Sequence, residues 1–205
     1  MKLFNKVNTL IIALFAVVTI AATSIDATLW SVDKSHSRIG FEVTHFFTPV
    51  NGTFDNYDAV VNFDPTNLGE SQIEVKIAVN SINTQNEKRD GHLRTPDFFN
   101  AEEFPTISFK SSEIVSTGEN TFAAKGQLTI KDVTQDIELP FTLLGVTDNP
   151  FREGTKVAGI TSELNISRTA FDVGTGNWAS DAVIGDEVSI TLNLELNTLP
   201  VEGTN

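Results

Sequence analysis

The chain has 205 residues, 40% of them hydrophobic, which predicts a globular domain rather than an extended disordered polymer. It contains no cysteine, which excludes disulfide bonds, thiolate metal sites, iron–sulfur clusters, thiol nucleophiles and a lipid-modified N-terminal cysteine. A formal net charge of −13 repels phosphate backbones and anionic lipid surfaces, so the sequence predicts no nucleic-acid partner.

The first 24 residues are predicted to be a secretory signal peptide. Two lysines precede the apolar run 10–22, which is too short to span a hydrocarbon core about 30 Å thick. Small residues then favour cleavage after Ser24, with cleavage after Ala27 as the second choice. An uncleaved N-terminal anchor is the alternative. The sequence therefore predicts an exported, soluble protein whose residues 25–205 form a single domain, since no linker or internal repeat divides them.

The mature chain is dominated by segments in which apolar and polar residues alternate, the pattern of a β-strand with one wet face. The clearest alternation covers residues 188–197, and two further clear segments cover 73–80 and 121–130. Weaker alternation marks five more segments, at 39–45, 57–63, 107–109, 137–143 and 160–166. Clusters of glycine, asparagine, aspartate and proline separate them, so the sequence predicts about eight long strands joined by turns.

Only residues 86–94 (NEKRDGHLR) carry a convincing helical pattern in the mature chain. One short helix cannot form a second layer, so eight antiparallel strands either stack as two sheets or close on themselves. Closure removes both unpaired edges, and we therefore predict an all-β fold, an extended eight-stranded antiparallel barrel with one short helix. A barrel of this size holds either a side-chain core or one slender ligand, and the pattern leaves both open.

Strand parity predicts which side chains face the barrel interior, because successive side chains point to opposite faces of a strand. An apolar ligand inside the barrel is therefore expected to contact the inward positions Phe41, Val43, Phe109, Leu128, Ile130, Phe141, Leu143, Ile160 and Leu164. His45 shares the parity of the first two positions. Its ring is predicted to face inward, either as a hydrogen-bonded core residue or as a contact to a ligand.

The predicted helix adds the other polar candidates. Arg89 and His92 share one face of that helix, and Phe98 and Phe99 follow it. One interpretation has the helix docked over a barrel end that the two phenylalanines plug; the other has Arg89 or His92 contacting the polar head of a ligand, a role that suits arginine. No pair of histidines has the spacing of metal ligands, so neither a metal nor a cofactor is predicted.

Motifs along the mature chain carry a family resemblance: Trp30-Ser31-Val32-Asp33 with His36-Ser37, Phe41-Glu42-Val43-Thr44-His45, Val50-Asn51-Gly52-Thr53-Phe54, Arg89-Asp90-Gly91-His92-Leu93-Arg94, Asp97-Phe98-Phe99, 104–111, 126–134, Arg168-Thr169-Ala170-Phe171 and Gly185-Asp186-Glu187-Val188. On these motifs the chain resembles the YceI-like family of exported, lipocalin-like proteins over nearly its whole mature length. Asp132 departs from the family pattern, which commonly has glycine at that turn. The resemblance implies an eight-stranded lipocalin-like barrel around a long apolar tunnel, members that bind polyisoprenoid or isoprenoid-quinone-like lipids in the periplasm, and no catalytic residues.

The residues and the resemblance together predict a periplasmic protein, not an enzyme, that holds or carries an isoprenoid lipid such as a polyprenol, a polyprenyl phosphate or an isoprenoid quinone. Each buried CH₂ group contributes about 0.8 kcal/mol, so such a chain binds without polar contacts. Two alternatives stay open: a hydrolase or isomerase with His45 or His92 as general base, and a ligand-free structural or stress-protective barrel. A transient membrane contact for loading fits the prediction, and the sequence leaves monomer and homodimer open.

Overall fold

Eleven β-strands and one short α-helix make up most of residues 27–198, the part of the chain that the computed structural model describes. The strands are β1 (Leu29–Val32), β2 (Arg38–His45), β3 (Thr48–Phe54), β4 (Tyr57–Asn62), β5 (Gln72–Ala78), β6 (Ile82–Asn83), β7 (Thr106–Gly118), β8 (Thr121–Ile130), β9 (Val133–Asp148), β10 (Lys156–Ser167) and β11 (Ile184–Thr198). The helix is α1 (Glu87–Leu93), and 3₁₀ turns cover Leu68–Glu70, Val79–Ser81, Thr169–Phe171 and Gly176–Trp178. The predicted signal peptide and its cleavage site after Ser24 lie outside the described residues.

The strands form one closed antiparallel barrel, because β1 pairs with β4 on one side and with β11 on the other. β1 and β2 lie end to end along β11, with Val32 opposite Leu196 and Arg38 opposite Asn193. The pairs β3–β4 and β5–β6 are interrupted in the same way, so the eleven segments make eight barrel strands. The predicted eight-stranded antiparallel barrel is confirmed.

Strand alternation did not predict β1, β3 or β6, and it gave β7 too short. Pro49, Asn51 and Gly52 interrupt the pattern of β3, although the strand pairs with β2 from Thr48 to Thr53. β7 extends well beyond the predicted 107–109. The prediction stopped short because Ser111 occupies a buried position where alternation requires an apolar residue. Its hydroxyl accepts a hydrogen bond from the backbone N–H of Ile73 at 2.8 Å, which satisfies the buried polar group.

The helix is the one that the sequence predicted. Asn86 is its N-cap, and the Asn86 side chain accepts a hydrogen bond from the backbone N–H of Arg89 at 3.1 Å. Arg94 is the C-cap, so the capped helix covers the predicted residues 86–94. Within residues 27–198, no helix has the length and hydropathy that a membrane crossing requires.

The two ends of the barrel differ in packing. We call one end the mouth; there the chain turns at 46–47, 84–105, 131–132 and 168–183. The opposite end is the floor, where Phe63, Phe122 and Phe141 pack with ring centroids 5.1–5.3 Å apart. The indole N–H of the buried Trp30 donates to the carbonyl of Phe63 at 2.8 Å, which holds the Trp30 ring beside this cluster. The floor is therefore solid protein.

Candidate functional site

A cavity of about 190 Å³ lies in the mouth half of the barrel. All eight barrel strands contribute residues to its wall. The wall is apolar because the inward positions of those strands carry mainly aliphatic and phenylalanine side chains. The strand residues of the wall include Ile39, Phe41, Val43, Ala59, Val75, Ile77, Ile107, Phe109, Leu128, Ile130, Ile137, Leu139, Leu164, Ile166, Ile184, Val188, Ile190, Leu192 and Leu194. Such a lining favours an apolar occupant.

Gly52 shapes one side of the cavity. It lies opposite Phe41 in the β2–β3 pair, and a Cβ atom at position 52 would come within 2.6 Å of Cε1 of that ring. The missing side chain lets the Phe41 ring lie against the wall, where it also packs on Phe54 with ring centroids 5.6 Å apart. Phe54 in turn meets Phe99 edge to face at 6.1 Å, which links the wall to the mouth.

Residues 84–105, which we call the cap, cover one part of the mouth. The cap places Leu93, Phe98 and Phe99 on the cavity wall. Its helix is held by polar contacts on the other face: Arg89 donates to the hydroxyl and the carbonyl of Thr84 at 2.7 and 2.8 Å. The buried Asp90 carboxylate accepts from the Thr84 backbone N–H at 2.9 Å. The cap thus presents apolar side chains inward, and its charged side chains hold the helix to Thr84 at the start of the cap.

Residues 168–183, the arginine loop, cover the other part of the mouth. The buried Arg168 guanidinium donates to five backbone carbonyls, those of Val173, Gly174, Trp178, Ile184 and Gly185, over 2.5–3.0 Å. Burial lowers the pKa of Arg168, but an arginine stays charged at any physiological pH. All five N–H donors are used, so Arg168 orders the loop and offers no further donor to a cavity ligand.

His92, Asp97 and Trp178 join the cap to the arginine loop, and we call these three residues the latch. The Asp97 carboxylate lies 3.1 Å from Nε2 of His92 and accepts from the indole N–H of Trp178 at 3.2 Å. The His92 ring packs edge-on against Trp178 with centroids 4.9 Å apart. The His92 hydrogen bond, and after it that of Trp178, lower the pKa of Asp97. The latch closes the two covering segments over the cavity.

The structure divides the predicted apolar contact residues into two groups. The first group lies on the cavity wall and comprises Phe41, Val43, Phe109, Leu128, Ile130 and Leu164. The second group, Phe141, Leu143 and Ile160, is buried in the packed core away from the cavity wall. Parity therefore identified inward-facing residues in both groups, but it did not distinguish the hollow half of the barrel from the solid one.

The three predicted polar residues lie at the mouth but not on the cavity wall. His45 is the exposed last residue of β2, and its ring packs edge-on against Phe46 with centroids 4.8 Å apart. Arg89 is bonded to Thr84, and His92 belongs to the latch. They therefore surround the entrance and leave the interior apolar.

Sequence reasoning missed several residues that build the site. Ile190, Leu192 and Leu194 line the cavity on β11, which has the clearest alternation in the chain, so parity was a sufficient signal for them. Val173 and Arg168 line it from the arginine loop, outside any regular pattern. For Arg168 the available signal was the Arg168-Thr169-Ala170-Phe171 motif of the family resemblance, which carries no hint of the five carbonyls.

A group of possible metal ligands lies outside the barrel. Asp33, His36 and Glu195 each offer one ligand atom, and these atoms lie within 4.8 Å of one another. The His36 Nδ1 atom is 3.1 Å from the Asp33 carboxylate, whose pKa falls to about 2 chiefly because of that hydrogen bond. Glu195 alternates along β11 with the wall residue Leu194 and the buried Leu196, so the group faces away from the cavity.

The closed eight-stranded barrel, with an apolar cavity under a covered mouth, defines a lipocalin-like barrel. The family model of the YceI-like domain matches residues 30–196, and the chain belongs to the YceI-like family. Protein YceI of Escherichia coli O157:H7 is 31% identical over 180 residues, which cover 84% of this chain and 93% of that protein. The resemblance read from the sequence is confirmed.

Solved structures agree with this assignment. BcnA of Burkholderia cenocepacia is 29% identical, with a TM-score of 0.72 over 80% of this chain and 98% of BcnA. The Campylobacter jejuni YCEI protein is 30% identical, with a TM-score of 0.68 over 82% of this chain and 96% of that chain. A polyisoprenoid binding domain from Saccharophagus degradans is 15% identical and shares the fold, with a TM-score of 0.63 over 84% of this chain and 99% of that domain.

Proposed function

We propose that this chain is an exported, periplasmic binding protein that holds or carries an isoprenoid lipid, a polyprenol, a polyprenyl phosphate or an isoprenoid quinone, in the barrel cavity. The apolar cavity of about 190 Å³, closed at the floor, is the observation that carries the proposal. Sites for compact drug-sized ligands usually measure about 300–1,000 Å³, so a cavity of this volume holds only one part of a long chain. The S. degradans domain, named for polyisoprenoid binding, shares the fold and supports the ligand class.

Binding is expected to come from apolar contact alone. Arg168 is the charged residue on the cavity wall, and its donors are bound to carbonyls. Each CH₂ group that enters contributes about 0.8 kcal/mol, so affinity grows with the buried length of the chain. The polar head then lies at the mouth near His45, Arg89 or His92, and a wall without polar anchors accepts chains of different total length.

The positions of the histidines favour binding over turnover. A general base must reach the proton that it removes, directly or through one water. Neither His45 nor His92 lies on the cavity wall, and Nε2 of His92 is within 3.1 Å of the Asp97 carboxylate. Within residues 27–198, the hydrolase or isomerase alternative therefore lacks support from either histidine at the place where an apolar substrate would be held.

Native mass spectrometry of the protein, purified gently from its own periplasm, tests the proposal. We expect one isoprenoid per chain, identified after solvent extraction. The same spectrum reports the start of the mature chain, Ile25 or Thr28, for the two predicted cleavage sites. A ligand-free mass that does not increase after incubation with prenols or quinones would contradict the proposal and favour the ligand-free alternative.

A matched pair of substitutions tests the location of the ligand. Leu128 lies on the cavity wall, and its neighbour Gln127 points outward and hydrogen-bonds Asp136 on β9 at 3.3 Å. Leu128→Trp is expected to fill the cavity and to lower isoprenoid affinity at least tenfold, because a tenfold loss corresponds to about two excluded CH₂ groups. Gln127→Trp is expected to bind normally. Equal affinities in two folded variants would place the ligand elsewhere.

A further inference from the structure

Two phenylalanines form the tip of the β2–β3 hairpin. Phe46 is 54% exposed and Phe47 is 96% exposed, although most phenylalanines of the barrel are buried. The pair constitutes the whole turn, since His45 and Thr48 on either side are already paired in the ladder. Large apolar side chains displayed together on a protruding turn are typical of a binding surface rather than of scattered exposure.

The backbone of this turn gives no structural reason for phenylalanine. Phe46 has φ = 52°, a left-handed conformation that is uncommon for residues other than glycine and is unfavourable for a bulky side chain. Two-residue hairpin turns with positive φ at the first position normally use glycine there. A phenylalanine that is strained in the backbone and exposed in its side chain points to a use outside the barrel.

The tip belongs to the mouth of the cavity. The backbone N–H of Phe46 donates to the carbonyl of Val183 in the arginine loop at 2.8 Å. Along the same strands, Val43 and Ile184 lie on the cavity wall, and Ile184 pairs with His45 next to the tip. The wall residues Val43 and Ile184 therefore lie close to the tip, with His45 between them and the Phe46 ring.

The small size of the tip favours a lipid bilayer over a protein partner, and the net charge of the chain indicates which kind of bilayer. Two fully exposed phenylalanines offer at most about 300–500 Å² of surface, and Phe46 is only 54% exposed, whereas a stable protein interface buries about 800 Å² on each partner. A narrow turn with two rings can enter the interfacial layer of a bilayer without a matching flat surface. Because the chain carries a net charge of −13, the bilayer is expected to be zwitterionic rather than anionic.

We propose that the Phe46–Phe47 tip inserts into the interface of a zwitterionic bilayer and sets the mouth of the cavity against the membrane. An apolar ligand then passes between the bilayer and the cavity without crossing water. The membrane contact stands on the tip itself, and only its role in ligand passage rests on the proposed function. The tip is an interaction surface separate from the cavity wall.

Vesicle binding tests this proposal directly. Phosphatidylcholine vesicles are sedimented with the wild-type chain and with the double variant Phe46→Gly/Phe47→Ser, in which glycine suits the positive φ at position 46. The fraction bound is expected to fall at least tenfold in the double variant. Phe151→Ser is the matched control, because Phe151 is 97% exposed at the floor end, and it is expected to bind within twofold of the wild type.

Two results would overturn the membrane contact: equal vesicle binding by the wild type and the double variant, or an equal loss in Phe151→Ser. Self-association of the wild type that the double variant abolishes, with no vesicle binding by either, would assign the tip to a second copy instead. Isoprenoid affinity measured in detergent separates the two proposals. Normal affinity with tip-independent vesicle binding refutes only the tip, and vesicle binding through the tip without isoprenoid affinity refutes only the proposed ligand.

Discussion

Gly126 shows how strongly a single residue constrains the barrel wall. It lies opposite Ser111 in the β7–β8 pair, next to an irregularity in the register between Ser111 and Glu113. A Cβ atom at position 126 would lie 2.6 Å from the Cα atom of Ser111 and would also overlap the carbonyl of Lys110. Both neighbours are backbone atoms, so relief requires the two strands to move apart.

Gly126→Ala is therefore expected to lower the free energy of unfolding by about 1–3 kcal/mol, the usual cost of overpacking. Gly145→Ala is the matched control, because position 145 also lies in a strand and a Cβ atom there meets nothing within 4 Å. Its stability is expected to stay unchanged or to rise by up to about 1 kcal/mol. Urea unfolding measures both, and equal midpoints would contradict the close approach at Gly126.

At the scale of elements, the latch makes closure of the mouth depend on pH. The pKa of Asp97 is lowered in the folded protein, so its contribution is complete above the ordinary aspartate value of about 3.9 and is lost as pH falls through the folded-state pKa. Because the side chain is exposed, the effect is local rather than global. Acid is thus expected to release the cap from the arginine loop while the barrel persists.

Hydrogen exchange of residues 95–104 measures this release. In the wild type, exchange is expected to accelerate severalfold below about pH 4, after correction for the intrinsic rate. In Asp97→Ala the exchange of the same amides is expected to be fast already at neutral pH and to lose that step. An unchanged profile in the variant would show that Asp97 does not hold the mouth. Amides of β8 serve as the internal control, since they lie in the barrel wall.

At the scale of the whole molecule, the close-packed core and the cavity lie in different halves of the barrel. Leu143 is buried in the packed half, whereas Leu192 is half-buried and faces the cavity. Leu143→Ala is expected to cost about 2–5 kcal/mol, because it creates a new cavity in close-packed surroundings. Leu192→Ala is expected to cost clearly less, since its side chain already borders empty space. Chemical unfolding compares the two, and equal costs would contradict the division.

The sequence predicted the barrel because alternation of apolar and polar residues is sustained over long strands such as 188–197. It predicted the inward face for the same reason, as Phe41 and Leu128 on the wall show. The sequence could not predict where along the barrel axis an inward-facing residue lies. Leu143 and Leu128 share the inward face, but the register of the whole closed sheet determines which half of the barrel each one occupies. The latch joins Asp97 to Trp178, 81 residues further along the chain, and the carbonyls that Arg168 binds belong to an irregular loop, so no local pattern encodes either.

The solid floor gives the barrel a fixed internal length. Under the proposed function, a linear ligand that enters through the mouth is expected to advance only until it meets the aromatic cluster of Phe63, Phe122 and Phe141. Every chain long enough to fill the cavity would then bury the same number of carbon atoms, and the remainder would stay outside the mouth. Under the proposed function, isoprene units beyond the length that fills the cavity are therefore expected to add nothing to the affinity.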